Sequence, residues 1–296
     1  DEYDTAFFDK RSKFVHYRPT TLVLGNLEFD HADIFTDLAA IETQFHHLVR
    51  TVPRNGRIIY RAGDEALARV LQRGLWSQLA SFGTAADADY AITGSDPGWR
   101  EFEVTAPGED ATTVASPLVG RFNAENITAA LAAVHHAGVP LASATASVRR
   151  FAGVRRRLER VHDRDGIVIY DDFAHHPTAI TETLTGLRAA VDGGRVIAIV
   201  EPRSNSMRMG THRDALPGAL ASADAAHLYV PATLSWSLPD TPEASRLVVH
   251  SDTEALIAAV ANAARPGDHI VVMSNGSFGG LPARLGAALD AVAAAR

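Results

Sequence analysis

The stretch Gly166–Ile180, GIVIYDDFAHHPTAI, passes from an apolar run through two acids and two histidines into a helical pattern. Later apolar runs repeat the strand pattern, and helical segments alternate with most of them: RVIAIVEP, HLYVP, RLVVH and HIVVMSNG. Strands that alternate with helices at this spacing predict a mostly parallel sheet covered by helices. This part of the chain is therefore predicted to be an α/β domain.

The rest of the sequence is long enough for a second domain. The chain has 296 residues, and the regular alternation begins only after the segment GVRRRLER. We predict one domain over residues 1–152 and another over 153–296. In the first domain, apolar patterns predict strands at Phe14–Tyr17 and Thr21–Asn26 and a helix at Asn123–Gly138.

Composition and charge argue against several classes of protein. Apolar residues make up 46% of the chain and charged residues 21%, which is typical of a globular protein. The net charge of −7 argues against nucleic-acid and membrane-surface binding, and no apolar run approaches the length of a membrane span. The chain has no cysteine, which excludes disulfides and thiolate chemistry. No signal peptide is visible, so we predict a cytoplasmic location.

Polar clusters follow several of the predicted strands. Ligands of open parallel sheets bind at the carboxyl ends of strands, so these clusters mark a candidate site. The clusters are NLEFDHAD after LVLG, DDFAHH after IVIY, EPRSNS after IAIV and SNGSFG after IVVM. Each one alone has a simpler explanation as a helix cap or an ordinary polar loop. Their repetition at successive strand ends favours a binding site.

The residue types narrow the chemistry of such a site. Asn123 and Asn126 lie near a helix start, where one is explained as an N-cap and the other offers an amide to a purine edge. The arginines of GVRRRLER form either a solvated basic face or a phosphate site, and Arg203 suits a carboxylate. The acids and histidine of NLEFDHAD suit Mg²⁺, although a helix cap at Asp33 also explains them. The sequence contains neither a GxxxxGK[ST] phosphate loop nor a GxGxxG dinucleotide motif after the first strand.

Six motifs occur together in a recognisable order: DEYD, NLEFDHADIF, GRFNAENITAALAA, RRRLE, YDDFAHHPTAI and EPRSNSMRMG. In this combination the chain resembles the Mur ligase superfamily, the ATP-dependent amide-forming enzymes of bacterial cell-wall synthesis. The resemblance implies part of a central ATPase domain followed by a Rossmann-like C-terminal domain with a mostly parallel sheet. It also implies a fragment of about two thirds of an enzyme, which lacks the N-terminal domain and the phosphate loop and is expected to be inactive alone.

Two branches of the superfamily share these motifs. DDFAHHPT is similar to the branch that joins UDP-N-acetylmuramate to L-alanine. EPRSNSMRMG and MSNGSFGG are more similar to the branch that joins it to the recycled tripeptide L-alanyl-γ-D-glutamyl-meso-diaminopimelate. We expect the tripeptide reaction and keep the L-alanine reaction as the alternative. A non-catalytic peptide-binding fragment and a serine hydrolase are alternatives from other classes, and the sequence has no GxSxG elbow to support the latter.

The resemblance also implies roles for individual residues at a site formed between the domains, with ATP and Mg²⁺ as cofactors. The residues expected near the phosphate and the incoming amine are His175, His176 and Arg157. Those expected to meet the nucleotide are Asn123, Asn126, Asp172 and Arg157. Those expected to line the peptide site are Arg203, Ser274, Asn275 and Phe278. The residues expected to hold Mg²⁺ are His31 and Glu2.

Overall fold

The computed structural model describes residues 2–4, 9–234 and 236–294, and Asp1 of the DEYD motif lies outside this part. The chain divides into two compact units, unit 1 at Asp1–Phe151 and unit 2 at Ala152–Arg296. Each unit has its own six-stranded sheet. No helix in the described part is both long enough and apolar enough to cross a membrane.

The sheet of unit 1 follows chain order, with parallel pairing from β1 to β4 and antiparallel pairing of the last two strands. Its strands are β1 (Thr21–Leu24), β2 (Arg57–Arg61), β3 (Gln78–Gly83), β4 (Tyr90–Ser95), β5 (Glu101–Ala106) and β6 (Glu109–Ala115). Its described helices are α1 (Leu38–Val49), α2 (Glu65–Gln72), α3 (Arg121–His136) and α4 (Leu141–Val148). Two apolar clusters form the core of the unit.

Aspartates fix the starts of two of these helices. Asp37 accepts a hydrogen bond from Ala40 N at 2.8 Å and caps α1. Asp64 accepts one from Leu67 N at 2.9 Å and caps α2, while its other oxygen accepts one from Leu27 N at 3.1 Å. Since Leu27 follows β1, Asp64 also positions the polar segment NLEFDHAD.

The predicted helix at Asn123–Gly138 is confirmed as α3, but its N-cap differs from the prediction. The cap is Gly120, with a φ of 90°, and both asparagines lie inside the helix. Left-handed backbone of this kind favours glycine, which explains why no asparagine is needed as the cap.

Unit 2 is a six-stranded sheet in the order β11-β10-β9-β12-β8-β7, with parallel pairing everywhere except between β7 and β8. Its strands are β7 (Glu159–Arg164), β8 (Ile167–Asp172), β9 (Val196–Val200), β10 (Ala225–Tyr229), β11 (Leu247–His250) and β12 (His269–Met273). Its described helices are α5 (Pro177–Ala190), α6 (Asn205–Arg208), α7 (Leu216–Ala219), α8 (Thr253–Ala263) and α9 (Leu281–Ala294). Two separate apolar clusters contain side chains of this sheet, as expected for a parallel sheet covered on both faces.

The structure differs from the sequence predictions at three elements. The predicted strand Phe14–Tyr17 is wrong, because Lys13–His16 forms a short 3-10 helix whose consecutive residues Phe14 and Val15 are both buried. β3 was not predicted, since the apolar residues of QLASFG do not alternate regularly with polar ones, and its first two positions are exposed. β7 was not predicted either, because ERVHDR is a polar edge strand without a buried face.

Candidate functional site

The strand order of unit 2 brings three polar strand ends together. β12 lies between β8 and β9, and Met273 pairs with Asp172 on one side and with Val200 on the other. The segments that follow these strands, DDFAHH, SNGSFG and EPRSNS, therefore leave the sheet side by side. This is the carboxyl edge of a parallel sheet, where ligands of such folds bind.

Asp172 fixes the turn that follows β8. The residue is 2% exposed, and its two carboxylate oxygens accept hydrogen bonds from Ala174 N at 2.8 Å and Leu158 N at 2.7 Å. Burial raises the pKa of Asp172, and the two backbone hydrogen bonds oppose that shift. The predicted ribose contact would thus use a carboxylate that already holds two stretches of backbone in place.

The side chains of Arg156, Arg157 and His175 pack around the ring of Phe173. The guanidinium carbons of Arg156 and Arg157 lie 5.1 and 5.2 Å from its ring centroid, within cation–π range. The ring of His175 packs edge-on against it, with centroids 5.4 Å apart and planes at 88°. We call these four residues the Phe173 cluster.

The two arginines of the Phe173 cluster have different partners. Arg156 donates from Nη2 to the carbonyl oxygens of Ser274 and Gly276, each at 2.5 Å, and its Nε lies 3.6 Å from the Asp171 carboxylate. Arg156 therefore ties the Phe173 cluster to the turn after β12. Arg157 is exposed, its guanidinium lies over the Phe173 ring, and its positive charge acts on the Asp172 carboxylate.

The two predicted histidines lie at the start of α5. His175 Nδ1 is 2.9 Å from the carbonyl oxygen of Phe173. His176 is the N-cap of α5, and its Nδ1 accepts a hydrogen bond from Thr178 N at 3.3 Å. The ring of His212 packs against His176, with centroids 4.6 Å apart and planes at 73°.

The turn after β12 is shaped to receive the side chain of Arg203. A Cβ atom at Gly276 would collide with Cδ, Nε and Cζ of Arg203, so the arginine lies directly on the glycine backbone. Ser274 Oγ donates to the Glu201 carboxylate at 2.5 Å and accepts from Gly276 N at 2.9 Å. Arg203 itself is exposed, and its charge is therefore available to an anionic ligand.

The remaining predicted peptide residues separate into two environments. Asn275 Oδ1 is buried and has no hydrogen-bond partner within the described residues, which leaves an acceptor at this edge. Phe278 is 4% exposed and packs in the core beside Tyr229, with ring centroids 5.5 Å apart. The structure therefore groups Asn275 with Ser274 and Arg203, while the Phe278 side chain contributes to the core.

In unit 1, the two predicted metal residues contact each other. His31 Nε2 and Glu2 Oε1 are 2.5 Å apart, and the ring of Tyr3 packs against His31 at 4.2 Å. Burial opposes the charged imidazolium, but Glu2 and the nearby acids Asp30 and Asp33 outweigh it and raise the pKa of His31. Within the described residues, no group of three or more histidine or acidic side chains is arranged to hold a metal ion.

The two asparagines of α3 differ in availability. Asn123 Nδ2 donates to the carbonyl oxygen of Val119 at 2.8 Å, so its amide stabilises the first turn of the helix. Asn126 is exposed. Of the two, Asn126 therefore has the side chain that can present both an amide donor and an acceptor to a ligand.

Sequence reasoning missed three residues that shape the site in unit 2. Phe173 was visible as the aromatic residue inside DDFAHH, and Glu201 as the acid that follows β9. No sequence signal pointed to His212, because only the folded chain brings it to His176.

Residues 6–134 match the Mur ligase middle domain, and residues 156–276 match the glutamate ligase domain of Mur ligases. The chain belongs to the Mur ligase family, and the predicted family and α/β fold class are confirmed.

Among its relatives is the UDP-N-acetylmuramate–L-alanyl-γ-D-glutamyl-meso-2,6-diaminoheptandioate ligase of Escherichia coli K12, with 48% identity over 96% of this chain and 63% of that protein. The UDP-N-acetylmuramate–L-alanine ligase of Salinispora arenicola is 32% identical over 92% of this chain and 56% of that protein. The crystal structure of a murein peptide ligase from Psychrobacter arcticus matches with a TM-score of 0.71 and 40% identity, over 98% of this chain and 61% of the other. The chain thus spans less than two thirds of the length of these relatives.

Proposed function

We propose that this chain is part of an ATP-dependent ligase of peptidoglycan recycling, which joins UDP-N-acetylmuramate to L-alanyl-γ-D-glutamyl-meso-diaminopimelate. The observation that carries the proposal is the carboxyl edge of unit 2, where exposed Arg157 lies over Phe173 and exposed Arg203 lies on the turn after β12. ATP, an acyl phosphate and a peptide with several carboxylates are all anionic, and arginine forks bind such groups well. The higher identity to the tripeptide ligase than to the L-alanine ligase supports this substrate.

The proposed reaction has two steps. The terminal phosphoryl group of ATP is transferred to the muramate carboxylate, and the amine of the tripeptide then displaces phosphate from the acyl phosphate. Positioning and charge stabilisation supply most of the rate enhancement in such reactions. We assign Arg157 to the phosphates, Asn126 to the adenine, and Arg203 with Asn275 to the peptide. Asp172 is proposed to reach the ribose from the turn that it holds.

Mg²⁺ would neutralise phosphate charge during this reaction. We propose that Glu2 and His31 face it, because Mg²⁺ is usually held by one or two protein groups together with water and phosphate oxygens. The Glu2 carboxylate fits this chemistry directly. His31 fits it once its proton is released, since only a neutral imidazole can bind a metal. The cytoplasm, where ATP is available, is the proposed location.

The test uses a full-length form, in which the chain is joined to a segment equivalent to the part of its relatives that it does not span. Phosphate release and amide formation are measured with UDP-N-acetylmuramate, ATP and either the tripeptide or L-alanine. We expect kcat/KM to favour the tripeptide. A preference for L-alanine would replace the proposed substrate. Tripeptide binding in calorimetry without any ATP turnover would instead support a binding fragment, and labelling by a fluorophosphonate would support a serine hydrolase.

A further inference from the structure

The segment 203–210, which we call the Arg203 turn, follows β9 and is closed at both ends by side chains. At its start, Ser204 Oγ accepts a hydrogen bond from Met207 N at 3.3 Å and caps α6. At its end, the carbonyl oxygen of Met207 accepts hydrogen bonds from Gly210 N at 3.1 Å and from Nε1 of Trp236 at 2.8 Å. The second closing side chain is therefore that of Trp236.

The indole ring of Trp236 also lies against the backbone of the Arg203 turn. A Cβ atom at Gly210 would lie 3.0 Å from Cγ and Cδ1 of Trp236, so the ring lies directly on the glycine. Gly210 has a φ of 79°, a left-handed conformation that favours glycine. Trp236 is partly buried and packs against the core cluster that contains Met207. The indole thus contacts the turn through one hydrogen bond and through ring packing.

Trp236 belongs to a long connection between β10 and β11. The described residues of 230–243 form neither helix nor strand. Loops longer than about 12–15 residues without regular structure are uncommon in compact domains, and many of them are functional. Leu238 packs against the same core cluster as Trp236, so this connection is anchored at two points. A segment remote in sequence therefore supports the turn that follows β9.

The position of Arg203 depends on the backbone on either side of it. Its amide N donates to the carbonyl oxygen of Glu201 at 2.9 Å, and its guanidinium lies on the backbone of Gly276. The next residue, Ser204, begins the part of the turn that Trp236 contacts. A shift of the turn would therefore move the guanidinium relative to Gly276, and a displacement of about 1 Å in a binding group can cost about 10²-fold in rate.

We infer that Trp236 is a positioning residue for the peptide site. It holds the Arg203 turn in place, so that the guanidinium of Arg203 stays where a carboxylate of the peptide binds. Trp236 acts through the backbone of the turn, without a contact of its own with the peptide. The inference rests on the proposed function for the identity of the peptide as the ligand of Arg203.

The first experiment tests the hold on the turn in the 296-residue chain, without any need for activity. Hydrogen exchange, measured by mass spectrometry, compares the wild type with Trp236→Phe, which keeps an aromatic ring and loses the Nε1 donor. The backbone amides of residues 207–211 all donate hydrogen bonds within or next to the turn, so their exchange reports its opening. Loss of one hydrogen bond of typical strength corresponds to a change of about 2- to 10-fold in the exchange rate.

We expect exchange of these amides to rise by about that factor in Trp236→Phe, and further in Trp236→Leu, which also loses the ring. Trp76→Phe, the same replacement at an exposed tryptophan of unit 1, is the matched control. Unchanged exchange in both Trp236 variants would overturn the inference. An equal rise throughout unit 2 would also overturn it, since Trp236 would then support the whole core rather than the turn.

The second experiment measures the KM values of the full-length form with the same three variants, after thermal unfolding by circular dichroism confirms that each is folded at the assay temperature. Trp236→Phe should raise the KM for the tripeptide about 10-fold. It should leave the KM for ATP within about twofold, because Arg157 and Asn126, the proposed nucleotide residues, lie outside the turn. Trp76→Phe should change neither value.

A purely structural role of Trp236 would not separate the two substrates. Equal rises in both KM values, or no rise for the tripeptide, would therefore overturn the inference. A wild-type protein that forms no amide would refute the proposed function, and the peptide role of Trp236 with it. The exchange experiment decides separately whether Trp236 holds the Arg203 turn, so the two failures can be distinguished.

Discussion

Arg156 and Arg157 provide a direct test of how the site in unit 2 is held together. Their guanidinium carbons lie at nearly equal distances from Phe173, 5.1 and 5.2 Å, so replacement of either removes one cation–π contact. Only Arg156 also donates to the carbonyl oxygens of Ser274 and Gly276. The variants Arg156→Met and Arg157→Met therefore form a matched pair, and their difference in unfolding free energy reports mainly those two hydrogen bonds, with a smaller contribution from the partly exposed ion pair of Arg156 with Asp171.

The size of this difference follows from the contacts. A hydrogen bond from a charged donor contributes about 1.5–3 kcal/mol, and Arg156 makes two. Because its side chain is 31% exposed, water can replace part of the loss, and we take the lower end, about 3 kcal/mol. Each cation–π contact adds about 0.5–1 kcal/mol. We expect Arg156→Met to lower the unfolding free energy by about 3–4 kcal/mol and Arg157→Met by about 0.5–1 kcal/mol.

Urea unfolding followed by tryptophan fluorescence can measure the unfolding free energy of unit 2 separately from that of unit 1. Trp236 packs on the core of unit 2, and the other tryptophans, Trp76 and Trp99, lie in unit 1. With both of these replaced by phenylalanine, fluorescence reports the unfolding of unit 2 alone. With a slope of about 2 kcal/mol per molar urea, the midpoint for Arg156→Met should fall by about 1.5–2 M. Equal midpoints for the two variants would refute the role assigned to Arg156.

Three further predictions follow from the structure. Gly276→Ala should displace the guanidinium of Arg203 and raise the KM for the tripeptide in the full-length form about 10- to 100-fold, with an unchanged KM as the contrary result. Asn126→Ala should raise the KM for ATP. Asn123→Ala should mainly lower the melting temperature, because the Asn123 amide is hydrogen-bonded to the backbone. A higher KM only in Asn123→Ala, with a lower melting temperature only in Asn126→Ala, would contradict this assignment. Burial, with the charge of a neighbouring histidine, lowers the pKa of His227 from 6.5 to about 4, so the unfolded chain binds this proton first as the pH falls. The free energy of unfolding should therefore decrease as the pH falls from about 6.5 to about 4. The decrease should be about 1–2 kcal/mol, because solvent screens the charge of a partly exposed ring. In urea unfolding, His227→Gln should remove this part of the pH dependence.

The sheet of unit 2 could be predicted from the sequence because its inner strands are continuous apolar runs. β9 is buried at every position, and β12 at every position after the first, so their sequences are unmistakable. β7 could not be found in this way, because ERVHDR pairs along an exposed edge and its side chains carry no apolar pattern. Its place in the sheet depends on backbone pairing with β8, which no local pattern encodes.

The position of the candidate site could be predicted for the same reason, since polar segments follow the apolar strands. The sequence could not predict which of these polar residues face a ligand. Asp172 is as polar in sequence as Asp171, but it is engaged by backbone amides. Arg156 bonds carbonyl groups at positions 274 and 276, which are remote in sequence and become neighbours only in the fold. Burial and partners of this kind depend on tertiary contacts that a motif does not contain.

In two pairs of like residues in this protein, one member is bonded to the backbone and the other is exposed to a ligand. Arg156 bonds backbone carbonyls, while Arg157 is exposed. Asn123 bonds the turn before α3 while Asn126 is exposed. Loss of the bonded member of each pair should therefore lower stability first, and loss of the exposed member should raise KM first.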